Sequence, residues 1–310
     1  MSHFKNVLVV IDPTEDDSKA LSRALELSSK QAINITLFLS IYDFSYEMTT
    51  MLSSDERHNM RDAVIADRTA WLKELIDQNV NANSEAIKTK VVWHNRPYES
   101  ILKEVVSGDF DLVIKGTHSH DTLKSVIFTP TDWHLLRKCP TSLLLVKEHA
   151  WPSHGKVLAA VSAGSEDEKH QELNNLIIEN AITMADLLES DTHLMNAYPP
   201  TPVNIAVEIP EFDPNEYNAT MKDYHIKSMD NLANQHQVPN TRCHVVEGMA
   251  EDVIPRIAKD LDAELVVMGT VGRQGITAAL IGNTAEHVID NINCDLLAIK
   301  PSDFECPIKP

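Results

Sequence analysis

Short runs of almost wholly apolar residues alternate with amphipathic stretches along the chain. The runs are rich in Val, Leu and Ile and lack a regular polar alternation, which is typical of strands buried on both faces of a parallel sheet. Ten strands are predicted, at residues 5–12, 33–42, 86–93, 111–116, 142–147, 156–162, 192–198, 242–247, 264–269 and 295–299.

The stretches between these runs carry apolar residues at the spacing of a helix face. One helix is predicted after the first strand and a longer one over residues 55–78. Inward-facing positions are predicted at Ala20, Ala24, Leu27, Trp71, Leu72, Leu75, Leu173, Ile177, Ala181, Met184 and Leu188. A regular succession of strand and helix predicts the α/β class with open, doubly wound parallel sheets.

The pattern of strands and helices occurs twice in the 310 residues. The segment "DLVIKGT" at 111–117 matches "ELVVMGT" at 264–270, and "LLLVK" at 143–147 matches "LLAIK" at 296–300. Both matches have an offset of 153 residues (264 minus 111), which is the size of a domain rather than of a short repeat. The sequence therefore predicts two tandem five-stranded domains, residues 1–150 and 151–310.

Acidic side chains outnumber basic ones by 46 to 27, which gives a formal charge of -19. No run of Lys and Arg interrupts this excess, so neither nucleic acid nor an anionic membrane surface is an expected partner. The four cysteines form no C-x-x-C pair, and the first apolar run has five residues, too few for a signal peptide. No apolar run is long enough to span a bilayer, so we expect a cytoplasmic protein.

The stretch "GTVGRQGITAALIGNT" at 269–284 begins at the edge of the sheet where open α/β folds bind ligands. Gly269 and Gly272 lack a Cβ atom, which lets backbone N–H groups approach a ligand. Asn283 is placed to cap a helix whose free N–H groups and positive end attract phosphate. By spacing alone, a phosphate site and a simple turn before a capped helix are equally good interpretations.

The spacing G-x-x-G, nine residues, then G and a small polar residue resembles the nucleotide loop of the universal stress protein family. The resemblance extends over nearly the whole chain as two tandem domains. It implies five-stranded sheets of order 3-2-1-4-5, ATP as the ligand and pairing of domains through their fifth strands. The residues that it assigns to the nucleotide are Ser162, Ala197, Met268, Gly269, Val271, Gly272, Arg273, Gly282, Asn283 and Thr284.

Two positions depart from the family pattern. Asn283 stands where the family usually has Ser or Thr. Ser162 replaces the Asp that normally helps to hold the ribose or a metal. The resemblance therefore implies ATP but leaves open whether Mg²⁺ accompanies it.

The first domain keeps the Asp that the second lacks and lacks two loop glycines that the second keeps. Asp12 is kept, but in "GTHSHDTLKSVIFTPT" at 116–131 Ser119 and Thr129 replace two loop glycines. Pro130 also removes an amide donor at the start of the next helix. Nucleotide binding by the first domain is therefore disfavoured.

Histidines near strand ends are the candidates for a metal site in the first domain. His94, His118 and His120 could gather with Asp12 around zinc, which takes His and carboxylate ligands. They lack a compact ligand spacing, so hydrogen-bonded or solvated histidines are the favoured interpretation and no metal site is expected.

The family implies a regulator that supports survival under starvation and DNA-damaging stress. The chain has no nucleophile elbow and no Walker loop, so we expect at most weak ATP hydrolysis. The alternative is a carrier with a small molecule or lipid in the first domain beneath residues 42–60, a region that begins with the apolar segment "IYDFSYEMTTM" at 41–51. The fifth strands, 142–147 and 295–299, could pair within one chain to give a monomeric pseudo-dimer, and a homodimer is the other possibility.

Overall fold

A computed structural model describes residues 4–14, 18–48, 53–79, 87–119, 126–148, 150–201, 213–270 and 283–309 of the chain. The chain forms two compact units. The first unit comprises Met1–Lys147 and Glu305–Pro310, and the second comprises Glu148–Phe304.

The first unit is built on a parallel sheet with the strand order β3-β2-β1-β4-β7. A short antiparallel pair, β5 with β6, lies between β4 and β7 in the chain. The strands are β1 (Asn6–Val10), β2 (Asn34–Ile41), β3 (Lys88–Trp93), β4 (Leu112–Gly116), β5 (His118–Ser119), β6 (Val126–Ile127) and β7 (Ser142–Val146). The helices are α1 (Lys19–Lys30), α2 (Phe44–Met48), α3 (Ser54–Asn79), α4 (Pro97–Ser107) and α5 (Pro130–Lys138).

The second unit repeats this architecture with the strand order β10-β9-β8-β11-β12, all parallel. The strands are β8 (Lys156–Ala160), β9 (Asp191–Tyr198), β10 (Cys243–Glu247), β11 (Leu265–Gly269) and β12 (Asp295–Ile299). The helices are α6 (Glu168–Leu188), α7 (Pro214–Gln235), α8 (Ala250–Leu261) and α9 (Asn283–Asn291).

The predicted fold class is confirmed. Each predicted apolar run forms a strand, and the order in each unit is third, second, first, fourth, fifth. All five residues of β4 and of β12 are buried, as expected of strands covered on both faces. The small β5–β6 pair was not predicted from the sequence, because two-residue strands are too short to show a periodic pattern.

The predicted inward faces of the helices are confirmed in part. Ala20, Ala24 and Leu27 are buried in α1, as are four of the five predicted positions of α6, where Leu173 is half-buried. In α3, Trp71 and Leu75 are half-buried, and Leu72 and Ile76 form the buried pair. The reason is that α3 packs on β3, an edge strand of its sheet, so only a narrow stripe of this helix is covered.

No helix in the described part of the chain combines the length and the apolarity that crossing a bilayer requires.

Candidate functional site

The candidate site of the second unit lies at the carboxyl ends of three neighbouring strands, β8, β9 and β11, which we call the strand-end edge. Ala160, the last residue of β8, is in register with Met195 of β9 and with Met268 of β11. The strand order reverses between β8 and β11, and ligands of open α/β sheets bind at such a reversal.

Two buried amides fix the chain as it leaves β8. The backbone N–H of Ser162 donates to Oδ1 of Asn174 at 2.9 Å, and Nδ2 of Asn174 donates to the backbone carbonyl of Ser162 at 3.0 Å. The next residue, Ala163, donates its N–H to Oδ1 of Asn196 at 2.9 Å. Because Asn174 and Asn196 are buried, these bonds are shielded from water and hold the loop in one position.

An aromatic group forms the wall of the edge beside β9. Tyr198 stacks on His225 with ring centroids 4.9 Å apart and planes 14° apart. Tyr224 donates its hydroxyl to the carbonyl of Gly164 at 3.1 Å. A Cβ atom on Gly164 would lie 2.4 Å from Cε1 of His225, so this close approach requires glycine.

His225 is held as a neutral imidazole. Burial lowers the pKa of its imidazole below the ordinary 6.5. Nδ1 of His225 lies 3.1 Å from Nδ2 of Asn196, whose Oδ1 already accepts from Ala163. The amide therefore donates to His225, and Nδ1 of that ring carries no proton.

The end of β11 carries a buried positive charge. Nζ of Lys300 donates to Oγ1 of Thr270 at 2.7 Å, and both residues are buried. This ammonium lies beside the first residue after β11, where it makes the local electrostatic potential more positive and so favours an anion. At the preceding residue, a Cβ atom on Gly269 would lie 2.8 Å from Cδ2 of Leu173. Gly269 therefore also serves the packing of α6 on β11.

The structure places part of the predicted nucleotide set at the strand-end edge. Ser162 is exposed, Ala197 and Gly269 are half-buried and Met268 is buried. Asn283 and Thr284 are the first residues of α9, and their side chains lie outside the described part of the structure. Val271, Gly272, Arg273 and Gly282 also lie outside the described residues.

Five residues at this edge were not predicted: Asn174, Asn196, Tyr198, His225 and Lys300. The sequence offered one signal for three of them, because Asn174 and Asn196 are polar residues inside apolar stretches and Lys300 ends an apolar run. A polar residue that folds into a core needs a partner, and here each has one.

The first unit fills the corresponding helix start with its own side chains. Nζ of Lys115 lies 2.8 Å from Oδ1 of Asp132, and both residues are buried. Oδ2 of Asp132 accepts from N and Oγ1 of Thr129, at 2.7 and 2.9 Å, in a capping box at the start of α5. A phosphate at this helix start would meet the Asp132 carboxylate, and Pro130 has no N–H to offer.

The metal candidates of the first unit have other partners. Oδ1 of Asp12 accepts from N and Oγ1 of Thr14, at 2.9 and 2.6 Å. Nδ1 of His94 accepts from the backbone N–H of Arg96 at 3.0 Å. Within the described ranges, no three His, Cys, Asp or Glu residues are close enough to hold a metal ion. The side chain of His118 and all of His120 lie outside those ranges.

In the segment proposed to cover a carried ligand, two of the described aromatic side chains pack on Trp93. Trp93, at the end of β3, has Tyr42 and Tyr46 at ring-centroid distances of 5.9 and 5.5 Å. The guanidinium of Arg61 lies 5.7 Å from the same ring. Residues 49–52 of this region lie outside the described chain.

A histidine pair lies on β9 and β10, away from the strand-end edge. Nδ1 of His193 lies 3.1 Å from Nε2 of His244. Burial and the nearby His244, Arg242 and Lys156 lower the pKa of His193 to about 4. Burial also lowers the pKa of His244. Both rings are therefore neutral near pH 7, and one donates to the other.

We expect this pair to make stability depend on pH. The folded-state pKa of His193 lies below the ordinary 6.5, so protonation of this ring favours the unfolded state. The stability that depends on its neutral form is fully present above about pH 6.5 and is lost as the pH falls towards 4. The second unit should lose about 1 kcal/mol between pH 7 and pH 5, after allowance for partial exposure. Urea unfolding at both pH values measures this loss.

The matched control is His287, an exposed histidine on α9 of the same unit. His193→Gln should reduce the dependence of the unfolding free energy on pH, and His287→Gln should leave it unchanged. An equal slope in both variants would show that the His193–His244 pair is not its source.

The geometry defines the class of protein: two tandem, doubly wound α/β domains with strand order 3-2-1-4-5. The two domains differ in the residues that follow the fourth strand of each sheet. The chain belongs to the universal stress protein family, whose model matches residues 3–147 and 156–300. It is 50% identical to Universal stress protein E of Escherichia coli K12 over 310 residues, covering 100% of this chain and 98% of that protein.

Other relatives agree with this assignment. The Universal stress protein E homolog of Haemophilus influenzae is 41% identical over 304 residues, which cover 96% of this chain and 98% of the relative. A crystal structure of a functionally unknown protein from Pseudomonas aeruginosa has a TM-score of 0.74 and 28% identity, covering 97% and 94% of the two chains. A universal stress protein of Archaeoglobus fulgidus shares the fold, with a TM-score of 0.61 at 14% identity and 97% of each chain covered.

Proposed function

We propose that the protein is an ATP-binding regulator of the stress response with one nucleotide site per chain, at the strand-end edge of the second unit. One observation carries the proposal. Lys115 and Asp132 close the helix start of the first unit, and the positions 153 residues later hold Met268 and Ala285, which have no charge. Among the described residues of the second unit, the position of Asp132 therefore carries no carboxylate, and the acidic residue in the first turn of α9 is Glu286, one position later.

The residues of the edge have separate roles in this proposal. Gly272, Arg273, Gly282, Asn283 and Thr284 surround the phosphates, with Val271 beside them, and the resemblance to the family supports this assignment. Free N–H groups at the start of α9 would bind the phosphate oxygens.

The base and ribose would lie across the ends of β9, β8 and β11. Ala197 and Met268 flank them, and the Tyr198–His225 stack forms the adjoining wall. Ser162 offers a hydroxyl but no carboxylate, so Mg²⁺ would be held by the phosphates and water rather than by this residue. The chain itself therefore contributes little to metal affinity.

The physiological part of the proposal follows from family membership. The protein acts in the cytoplasm, where ATP is available, and supports survival under starvation and DNA-damaging stress. Association through fifth-strand edges, in a monomer or a homodimer, is part of the same proposal, and the mass of the protein in solution tests it.

The ligand of the native protein tests the function. The full chain, purified without added nucleotide, is denatured and its extract is analysed by mass spectrometry. ATP or AMP at about one per chain supports the proposal. A lipid-like mass instead of a nucleotide would support the carrier function and contradict ours.

Weak ATP hydrolysis is the second activity to be measured. If the bound triphosphate is hydrolysed at the strand-end edge, Gly282→Val should abolish phosphate release, because a side chain there blocks the approach of the phosphates. Release that survives this substitution would come from another source.

A further inference from the structure

A groove lined by side-chain amides separates α6 from α7 on the second unit. Its volume is about 270 Å³. Pockets for drug-sized ligands have volumes of about 300 to 1,000 Å³ and mostly apolar walls. This groove is smaller and has the opposite lining, with amides from Gln171, Asn175, Asn231 and Gln235. We call it the amide groove.

Hydrogen bonds hold several of these amides in place. Oδ1 of Asn175 lies 2.9 Å from Nε2 of His236 and accepts from Nε2 of Gln235 at 3.3 Å. Nε2 of Gln171 donates to the backbone carbonyl of Ser165 at 3.3 Å. These contacts orient the amides before any ligand arrives, which lowers the entropic cost of binding.

Other polar groups in the groove remain available. Ser228 and Asn231 line it, and their side chains have no hydrogen-bond partner among the described residues. A ligand that fills the groove must supply both donors and acceptors, because polar groups that lose water without a new partner cost about 1 to 3 kcal/mol each. An apolar ligand is therefore excluded.

The charge of the groove selects among polar ligands. Glu166 is the one lining residue with a formal charge in the described part of the chain, and the whole protein carries -19. The described residues that line the groove include no Lys or Arg to neutralise a phosphate or carboxylate. Tyr224 also lines the groove and supplies its aromatic side chain.

We propose that the amide groove binds a small neutral polyhydroxylated molecule of about monosaccharide size. Hydroxyl groups both donate and accept, which matches the amides, Ser228 and the Glu166 carboxylate. The C–H face of a sugar ring would pack on Tyr224. The groove is formed by α6, α7 and the segment after β8. It shares Ala163, Asn174 and Tyr224 with the strand-end edge, but its described lining includes none of the residues assigned to the phosphates.

The test uses the full chain and isothermal titration calorimetry with glucose, galactose and myo-inositol, and with glucose 6-phosphate as the charged probe. At least one neutral compound should bind at one site per chain with a Kd of about 1 mM or tighter. Glucose 6-phosphate should bind more weakly than glucose. The variant Gly272→Val/Gly282→Val should bind the neutral compound as the unmodified chain does.

Two leucine substitutions on α7 locate the site. Asn231→Leu removes a groove amide and should weaken binding about tenfold, a loss of about 1.4 kcal/mol. Asn234→Leu changes an exposed amide on the same helix outside the groove and should leave the affinity unchanged. Circular dichroism verifies that both variants fold.

Three results would overturn the proposal. If no neutral polyol binds up to about 10 mM, the groove holds only water. Equal affinities of Asn231→Leu and the unmodified chain would place the binding elsewhere. Tighter binding of glucose 6-phosphate than of glucose would make the groove an anion site.

Discussion

Replacing Lys115 by Met should lower the free energy of unfolding of the first unit by about 3 to 5 kcal/mol, because it leaves the Asp132 carboxylate buried without its cation. The partners lie 2.8 Å apart, with 5% and 0% of their side chains exposed. Urea denaturation of the full chain, followed through the unfolding transition of the first unit, measures this loss.

The matched control is the pair that the second unit carries at the same positions. Lys115→Met/Asp132→Ala introduces the residues found at Met268 and Ala285 and should recover most of the lost stability. A remaining deficit of about 1 kcal/mol is expected from loss of the capping box with Thr129. A double variant as unstable as the sum of its single variants would contradict our account of this ion pair.

The double substitution Gly272→Val/Gly282→Val should abolish the stabilisation that ATP gives to the second unit. A ligand at 100 times its Kd stabilises a protein by about 2.7 kcal/mol, and this increment should fall to zero. The reason is steric, because a branched side chain keeps the phosphates away from the backbone N–H groups. Thermal unfolding with and without ATP provides the measurement.

The first domain supplies the control for this result. Ser119 occupies the position of Gly272, 153 residues earlier, and Ser119→Val should leave the stabilisation by ATP unchanged. Without ATP, both variants should unfold close to the temperature of the unmodified chain. Full stabilisation of the glycine variant by ATP would show that these glycines do not contact the nucleotide.

The fold was predictable because strands buried on both faces leave a strong local pattern. Runs such as "DLVIKGT" and "ELVVMGT" mark β4 and β11 without knowledge of their neighbours, and the offset of 153 residues shows the duplication. The strand order has no comparable local signal, and it came from the family resemblance. The buried face of α3 was harder to predict, because it depends on how the helix packs on the edge strand of the sheet.

The polar contacts of the candidate site were less predictable, since they join residues far apart in the chain. Asn196 holds Ala163 across 33 residues, and Lys300 holds Thr270 across 30. Hydrophobic periodicity carries no information on such pairs. A lysine does end both "LLLVK" and "LLAIK", and this recurrence is the signal that would have identified Lys300.

The ion pair of the first unit could not be predicted for the same reason: its two residues lie far apart in the chain. Lys115 interrupts an apolar strand and Asp132 lies in the first turn of α5, and either residue alone is unremarkable in a sequence. Their partnership follows only from the packing of α5 at the end of β4. The comparison of the two units therefore depends on the structure, although the loss of the loop glycines could be predicted from the sequence.

The stoichiometry of ATP binding tests the central claim most directly. The full chain is freed of nucleotide and titrated with ATP in a calorimeter, at a protein concentration above the Kd. One ATP per chain is the predicted result, with binding abolished by Gly272→Val/Gly282→Val and kept by Ser119→Val. Two ATP molecules per chain, or none, would contradict a single nucleotide site in the second unit.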